Sequence, residues 1–445
     1  MTARGAAKPS VADLLAVAAV TGEPLVQPRC GVGGHAEMLA LLTGLQDQAD
    51  PGILTVTIDS HTRLLQFASV DRALAADPAS LNGYPLVTHG PDRGRELDEA
   101  VRAPIQVRHG SPDPRPLFAA STAAGFTSFE GGGISYNVPY AKDVPITDSL
   151  RAWQEVDRQA GELTAAGVTV DRELFGTLTA VLMPPSVCLA VTVIEAALAV
   201  AEGVRCVSIA YPQGGHPWQD LAALRAIETL AARYLGPHAG TVHPVLHQFM
   251  GVFPTDRQRA RELISYGGVI AALGRVRKVV TKSPAEASGI PTLAENADGI
   301  RLTRHGIALA PQFGIDEAAV AAEQEAIERE VRELVDPILE RPDVIRAVGE
   351  AFEAGTLDVP FGASRFVRSA VMPCRDASGA IRFADPGGLP FSAASRRRND
   401  DLVAARGSGP RTAGTLLRDV NYFADGLADP ALFLPSAEPT LDGAR

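Results

Sequence analysis

The 445-residue sequence is short of aromatic residues, which form 5% of it, and of cysteine, of which it has four. Cys30, Cys188, Cys206 and Cys374 are scattered, with no CxxC pair. That spacing offers neither a zinc site nor a disulfide framework and points to a reducing cytoplasm. Positive charge is also scarce: 41 Lys and Arg against 52 Asp and Glu leave a net charge of -11. A general nucleic-acid binder needs a basic face, so that class is excluded. Long unbroken apolar runs are missing as well. The most apolar stretch, Val187 to Val204, is interrupted by Glu195 and Glu202 and reads as a helix buried against a sheet, not a membrane span. The N-terminus has one short apolar run without a signal-peptide cleavage context. No P-loop, GxSxG elbow or HExxH motif occurs. GVGGHAE, after Arg29, is a poor GxGxxG, because Ala36 stands where the third glycine belongs.

What is present is 46% hydrophobic residues, enough for a sizeable core, arranged as short apolar runs alternating with helical patterns. This is the signature of βα units around a parallel sheet. Nine runs read as strands: PLVQPR ending at Arg29, ILTVTID at Asp59, YPLVTHG at Gly90, PIQVR at Arg108, GFTSFE at Glu130, FGTLTAVLM at Met183, VRCVSIAYP at Pro212, GTVHPVLHQF at Phe249 and RKVVTK at Lys282. That is one more than a closed (β/α)8 barrel needs, so one lies outside the barrel or is not a strand. A doubly wound open sheet is the competing architecture, but it ordinarily carries the glycine-rich turn that GVGGHAE fails to supply. From about Asp316 the sequence becomes a long charged helical stretch. Val359 to Phe391 is rich in Gly, Pro and Arg and reads as ordered loop and hairpin, and the tail with RRRND reads as exposed.

In a (β/α)8 barrel the reactive side chains stand at the C-terminal ends of the strands. Those ends carry Arg29, Arg63 just past its strand, Arg108, Glu130 and Lys282. Three guanidinium groups at one mouth repel each other unless an anion sits between them, and arginine's planar fork grips carboxylates bidentately. With one glutamate added, the set fits a ligand bearing two carboxylates and one ammonium, an acidic amino acid. The alternative is that each arginine is structural and pairs with a nearby carboxylate. Between three arginines Glu130 is expected to stay ionised. The densest motif, FEGGGISYNVPYAKDVP from Phe129 to Pro145, follows Glu130 with three glycines and with Tyr136 and Tyr140, which could reach back to the mouth. His243 and His247 are four apart in a run that reads as strand, so they share no helical face and no protein-bound metal is expected. DSHTRL, from Asp59, is a partial DxHxxG without its closing glycine, so cobalamin is not held by this chain in that manner.

Over about Leu25 to Phe391 the sequence resembles the glutamate mutase (methylaspartate mutase) epsilon, or large, subunit family. The resemblance rests on VQPRCGV, TIDSHTR, LNGYPLV, QVRHGSPD, EGGGISYNVPYAK, DRELFG, LMPPS, QDLAALRAIE, HQFMGVFP, VRKVVTKSPAEASGIPT and VPFGASRF. It implies an α/β fold: a (β/α)8 TIM barrel over residues 24–315, an N-terminal segment 1–23, and a smaller helical and loop-rich C-terminal segment 316–445 packed on the barrel. It implies an isomerase (an intramolecular transferase) that interconverts L-glutamate and L-threo-3-methylaspartate by radical chemistry with adenosylcobalamin. The cofactor is shared with a separate small cobalamin-binding subunit carrying DxHxxG, and the large subunits form a homodimer in the cytoplasm, away from membranes and nucleic acid. By the same resemblance Arg29, Arg63 and Arg108 form a claw on the substrate carboxylates, and Glu130 faces the ammonium as a base. Tyr136 and Tyr140 complete the substrate pocket, Lys282 and Glu286 contact the adenosyl ribose, and His247 lies near the corrin. Cys30, beside Arg29, is expected to point away from the radical.

The sequence departs from the family pattern at Phe129 (commonly Asn), Phe249 (commonly Trp), Ala210 to Trp218, and PTLAEN from Pro291. These departures leave room for a specialised homologue, one making methylaspartate as an antibiotic building block or acting on another acidic amino acid. A non-catalytic scaffold homologue is the alternative from another class.

Overall fold

The computed structural model describes residues 8–407 and 412–424. Eight short parallel strands form one sheet: β1 (Leu25–Gln27), β2 (Leu54–Thr57), β3 (Ile105–Arg108), β4 (Ser128–Glu130), β5 (Asp171–Leu174), β6 (Cys206–Pro212), β7 (Thr241–His247) and β8 (Lys278–Val280). Neighbours pair in chain order from β2 to β8, and β8 returns to pair with β1. At the remaining seam the Thr57 amide donates to the Cys30 carbonyl (2.8 Å), which all but closes the ring. The architecture is a TIM barrel, with its strand-connecting helices packed outside.

Two strand expectations are corrected. YPLVTHG is not a strand: it opens the helical segment Leu86–Glu99, kinked where Gly90 adopts φ 82° ahead of Pro91. β2 and β3 pair directly in register, Leu54 with Ile105 through Thr57 with Arg108, so that run belongs to their crossover. FGTLTAVLM is not a strand either. The fifth strand lies just upstream, in Asp171–Leu174. The expected run is a loop in which Leu178, Ala180 and Leu182 all have positive φ, a conformation that no strand residue adopts.

The expected apolar helix forms as Pro185–Ala201 and is buried along most of its length between barrel and outer layer. No described helix is long and apolar enough to cross a membrane. At the N-terminal end of the strands, the helix Val11–Thr21 lays Val11 and Leu15 against Ile53 and Cys206, while the Val11 amide reaches the Thr127 hydroxyl (3.1 Å). This helix seals the base of the barrel.

Past the barrel come the helices Glu317–Leu339 and Val344–Ala354, then the antiparallel hairpin β9 (Met372–Arg375) and β10 (Ile381–Asp385). The RRRND run is not simply exposed. It lies in the helix Ala393–Ala404, where Arg398 pairs with Glu323 and Asn399 is buried against Phe383. Phe249, one of the family departures, meets Phe423 edge-on at 4.7 Å and so fastens the C-terminal segment to the end of β7. Residues 1–7, 408–411 and 425–445 of the two expected terminal segments lie outside the described residues.

Candidate active site

Arg108 and Glu130, the last residues of β3 and β4, form a buried bidentate pair. Arg108 Nε lies 2.7 Å from Glu130 Oε2, and Nη2 donates to Oε1 at 3.1 Å. The Tyr136 hydroxyl donates to the same Oε1 (2.8 Å). Arg108 Nη1 is buried with no hydrogen-bond partner. A guanidinium N–H left unpaired in a buried site costs free energy until an acceptor arrives.

The three glycines explain how Tyr136 reaches Glu130. Gly131 has φ +115°, and a Cβ there would strike the Tyr136 ring; one at Gly132 would strike the Glu195 carboxylate, and one at Gly133 the Leu150 backbone. Glu195, wholly buried on the helix Pro185–Ala201, accepts from the Ile134 amide (2.7 Å), the Ser135 amide (2.8 Å) and the Ser135 hydroxyl (2.9 Å). Burial pushes its carboxyl up to about 7 against those hydrogen bonds. Nothing in the sequence reading marked Glu195 as the clamp of this turn.

The other two arginines have different neighbours. Arg29 Nη1 pairs with Glu286 Oε1 (2.9 Å), and Lys282 Nζ meets the same oxygen. Burial, with Arg29 second, lowers Lys282 to about 7. Arg63 lies 5.7 Å above the Tyr140 ring, and both abut Gly110. Tyr140 is the exposed member of the set at 38%. Arg29 and Arg108 thus pair with carboxylates, as the structural alternative required, whereas Arg63 lies on the Tyr140 ring, and Arg29, Arg63, Arg108 and Lys282 outnumber Glu130 and Glu286. The rim therefore carries a surplus of positive charge. Beside it a cavity of about 180 Å3 is lined by Arg29, Asn82, Lys282, Ser283, Glu286 and Pro291. Cys30 adjoins this cavity, but its thiol donates to the Thr55 carbonyl (3.0 Å) and burial pushes it up to about 12.

The expectation for Glu130 is corrected. Among the described residues Arg108 is the arginine bonded to it, and burial outweighs that contact, raising the carboxyl above the usual range with Glu173 adding to the rise. Glu173 itself, unmarked in the sequence reading, sits directly below the mouth. It accepts from Gln106 Nε2 (2.8 Å), pairs with Lys278 Nζ and bonds His247 Nε2 (2.7 Å). Although burial disfavours its charge, Lys278 and His247 hold it well below the usual carboxylate range. His247 is wholly buried, and its Nδ1 is taken by the Thr177 hydroxyl (2.9 Å), so both ring nitrogens are engaged. Asp171 continues the column, accepting from Ser128 Oγ and Ser208 Oγ at 2.7 Å each. A TIM-barrel interior is ordinarily filled by branched aliphatic side chains. This one is filled by hydrogen-bonded charge.

Glu130, Glu173 and His247 offer ligand atoms within 4.8 Å of one another. Arg108 already covers one carboxylate and Lys278 the other, so the cluster is charge-compensated by its own cations.

Fold and site together define a TIM barrel whose strand-end mouth carries more cationic than anionic side chains. The chain matches the family described as "Methylaspartate mutase E chain" over residues 7–417, and it belongs to that family. It is 43% identical over 403 residues to the glutamate mutase epsilon subunit of Desulfitobacterium hafniense, covering 88% of this chain and 83% of that one. It is 45% identical over 372 residues to the epsilon subunit of Haloarcula marismortui, covering 82% and 76%. Among solved structures an aldolase from Escherichia coli K12 superposes with a TM-score of 0.33 at 13% identity, over 70% of this chain and 99% of that one; this remote likeness does not bear on the site.

Proposed function

We propose that the chain is the large catalytic subunit of an adenosylcobalamin-dependent glutamate mutase, acting in the cytoplasm with a small cobalamin-binding subunit that carries DxHxxG. The observation that carries this reading is the surplus of arginine at the mouth, with Arg108 Nη1 buried and unpaired above an abutting carboxylate.

In this reading Arg29, Arg63 and Arg108 hold the two carboxylates of L-glutamate, and orientation replaces entropy that a free substrate would lose at the barrier. Glu130 accepts a proton from the substrate ammonium at a carboxylate oxygen, and burial, which raises its proton affinity above that of a free carboxylate, suits it to that task. Tyr136 fixes the Glu130 carboxylate, and Tyr140 closes the pocket on its exposed side. Lys282 and Glu286, beside the unpaired Ser283 hydroxyl, offer a donor and acceptors suited to a ribose diol, so the rim fits the adenosyl group. His247, with both ring nitrogens engaged by Glu173 and Thr177, would serve the corrin side of the site through Glu173 and not by direct contact. Adenosylcobalamin, when bound, supplies the hydrogen-abstracting radical, and the protein's part is to position substrate and exclude water.

The direct test mixes this chain with a cognate small subunit, adenosylcobalamin and L-glutamate. Formation of 3-methylaspartate is expected; none in the presence of a partner competent with another large subunit overturns the reading. Gel filtration of the chain alone with cofactor should leave no corrinoid bound. Stoichiometric corrinoid without the partner would refute the two-subunit arrangement.

A further inference from the structure

Glu130 and Glu173 are register partners on β4 and β5, so their side chains enter the barrel side by side. Both are wholly buried, and one oxygen of each lies within 4.8 Å of the other and of a His247 ring nitrogen. Two carboxylates this close in a water-poor interior do not ionise independently, and the surroundings decide which carries the charge. Those surroundings are unequal. Glu173 faces Lys278 on β8, His247 on β7 and the Gln106 amide on β3, with Asp171 below it on its own strand. Glu130 faces Arg108 on β3 and the Tyr136 hydroxyl, and the Arg108 guanidinium beside it keeps Nη1 without a hydrogen-bond partner.

We propose that Glu173, anchored by Lys278 and His247, is a positioning residue that keeps the fixed negative charge of the pair, leaving Glu130 as the member that exchanges a proton with the substrate. This deepens the function proposed above and rests on it. In the exchange a substrate N–H bond breaks with its electron pair staying on nitrogen, and an O–H bond forms on Glu130. The step reverses before release, so Glu130 ends as it began. Glu173 touches no substrate. Its like charge raises the proton affinity of Glu130, whereas Lys278 lowers it.

The two variants therefore act in opposite senses. Glu173→Gln removes the like charge, and Lys278→Met removes the cation. The readout is the carboxylic-acid carbonyl band of Glu130 in the infrared spectrum of the isolated chain, assigned by its loss in Glu130→Gln and titrated with pH. Glu173→Gln should move the midpoint down by about one unit or more, and Lys278→Met should move it up, as expected for a neighbouring charge. In the assembled enzyme the acid limb of kcat/KM should move with it. A purely structural role would lower activity without moving either midpoint. Midpoints that stay fixed, or that both move the same way, overturn the proposal. If a single variant fails to fold, the double variant, neutral at both positions, takes its place. Its midpoint should fall by less than in Glu173→Gln, and a midpoint at or above wild type overturns the proposal. Because the infrared titration needs neither cofactor nor turnover, midpoints that shift as expected in a complex inactive on glutamate would refute the proposed function alone.

Discussion

The mouth of the barrel and its interior both carry buried charge, yet they are built differently. In the interior, Asp171, Glu173, His247 and Lys278 satisfy one another through Ser128, Ser208, Gln106 and Thr177. At the mouth, arginines exceed carboxylates, Arg108 Nη1 has no acceptor and Ser283 Oγ has no partner. The closed set holds its own charges in place, since removing one member strands another. The open set is arranged to be completed by a ligand. The difference teaches that burial of charge alone does not identify a site; the excess of positive charge at the strand ends is what separates the mouth from the interior.

That contrast can be broken by asking which quantity each substitution changes. The largest effect is expected at Glu130→Gln, which keeps shape and removes the exchangeable proton. kcat should fall by roughly 10²–10⁴, the range for a lost general base, in steady-state assays of the complex. An unchanged kcat with a raised KM would reduce Glu130 to a binding residue. Next comes Arg172, which is wholly buried and bonds Asp157 (2.7 Å) and the Phe129 and Gly131 carbonyls. Arg172→Met strands Asp157 and should cost about 3–5 kcal/mol in denaturant unfolding. At the mouth, Arg108→Lys should cost about 2–4 kcal/mol in kcat/KM, because a point charge does not reproduce the bidentate fork. Its unfolding midpoint should shift far less than that of Arg172→Met; equal shifts would erase the distinction between the two regions. The smallest effect belongs to Arg115→Lys. Arg115 pairs on the surface with Asp113 (2.7 Å) and Glu155 (3.3 Å), and the change should stay within about 0.5 kcal/mol in both stability and kcat/KM.

The sequence was legible where it obeyed the ordinary rules of strands. β1, β2, β3, β4, β6, β7 and β8 are apolar enough to stand out, and reading their ends led to Arg29, Arg63, Arg108, Glu130 and Lys282. β5 was missed because its residues, Asp171 to Leu174, carry three charges in four positions. Such a strand survives only because each charge meets a partner from another element, Arg172 outside the barrel and Asp171 and Glu173 within it. Pairings across β3, β7 and β8 are not visible in a linear sequence. The same long-range geometry hid Glu195, which looked like an interruption in an apolar helix and is the acceptor that holds the EGGG turn. YPLVTHG failed for the opposite reason. It is apolar enough for a strand, but Gly90 and Pro91 bend it into a crossover.

One consequence follows from the helix Val11–Thr21 at the base. With Val11 and Leu15 seated on Ile53 and Cys206, the base of the barrel is covered among the described residues, and the mouth is the side left for entry and departure. A partner that covers the mouth during turnover would therefore hold substrate and product behind the same door. Departure of product would wait on that door opening, and the order of arrival would be imposed by architecture: amino acid first, cover second. A chase of labelled substrate from the assembled complex would then run at the rate of uncapping, however weakly the claw itself held on.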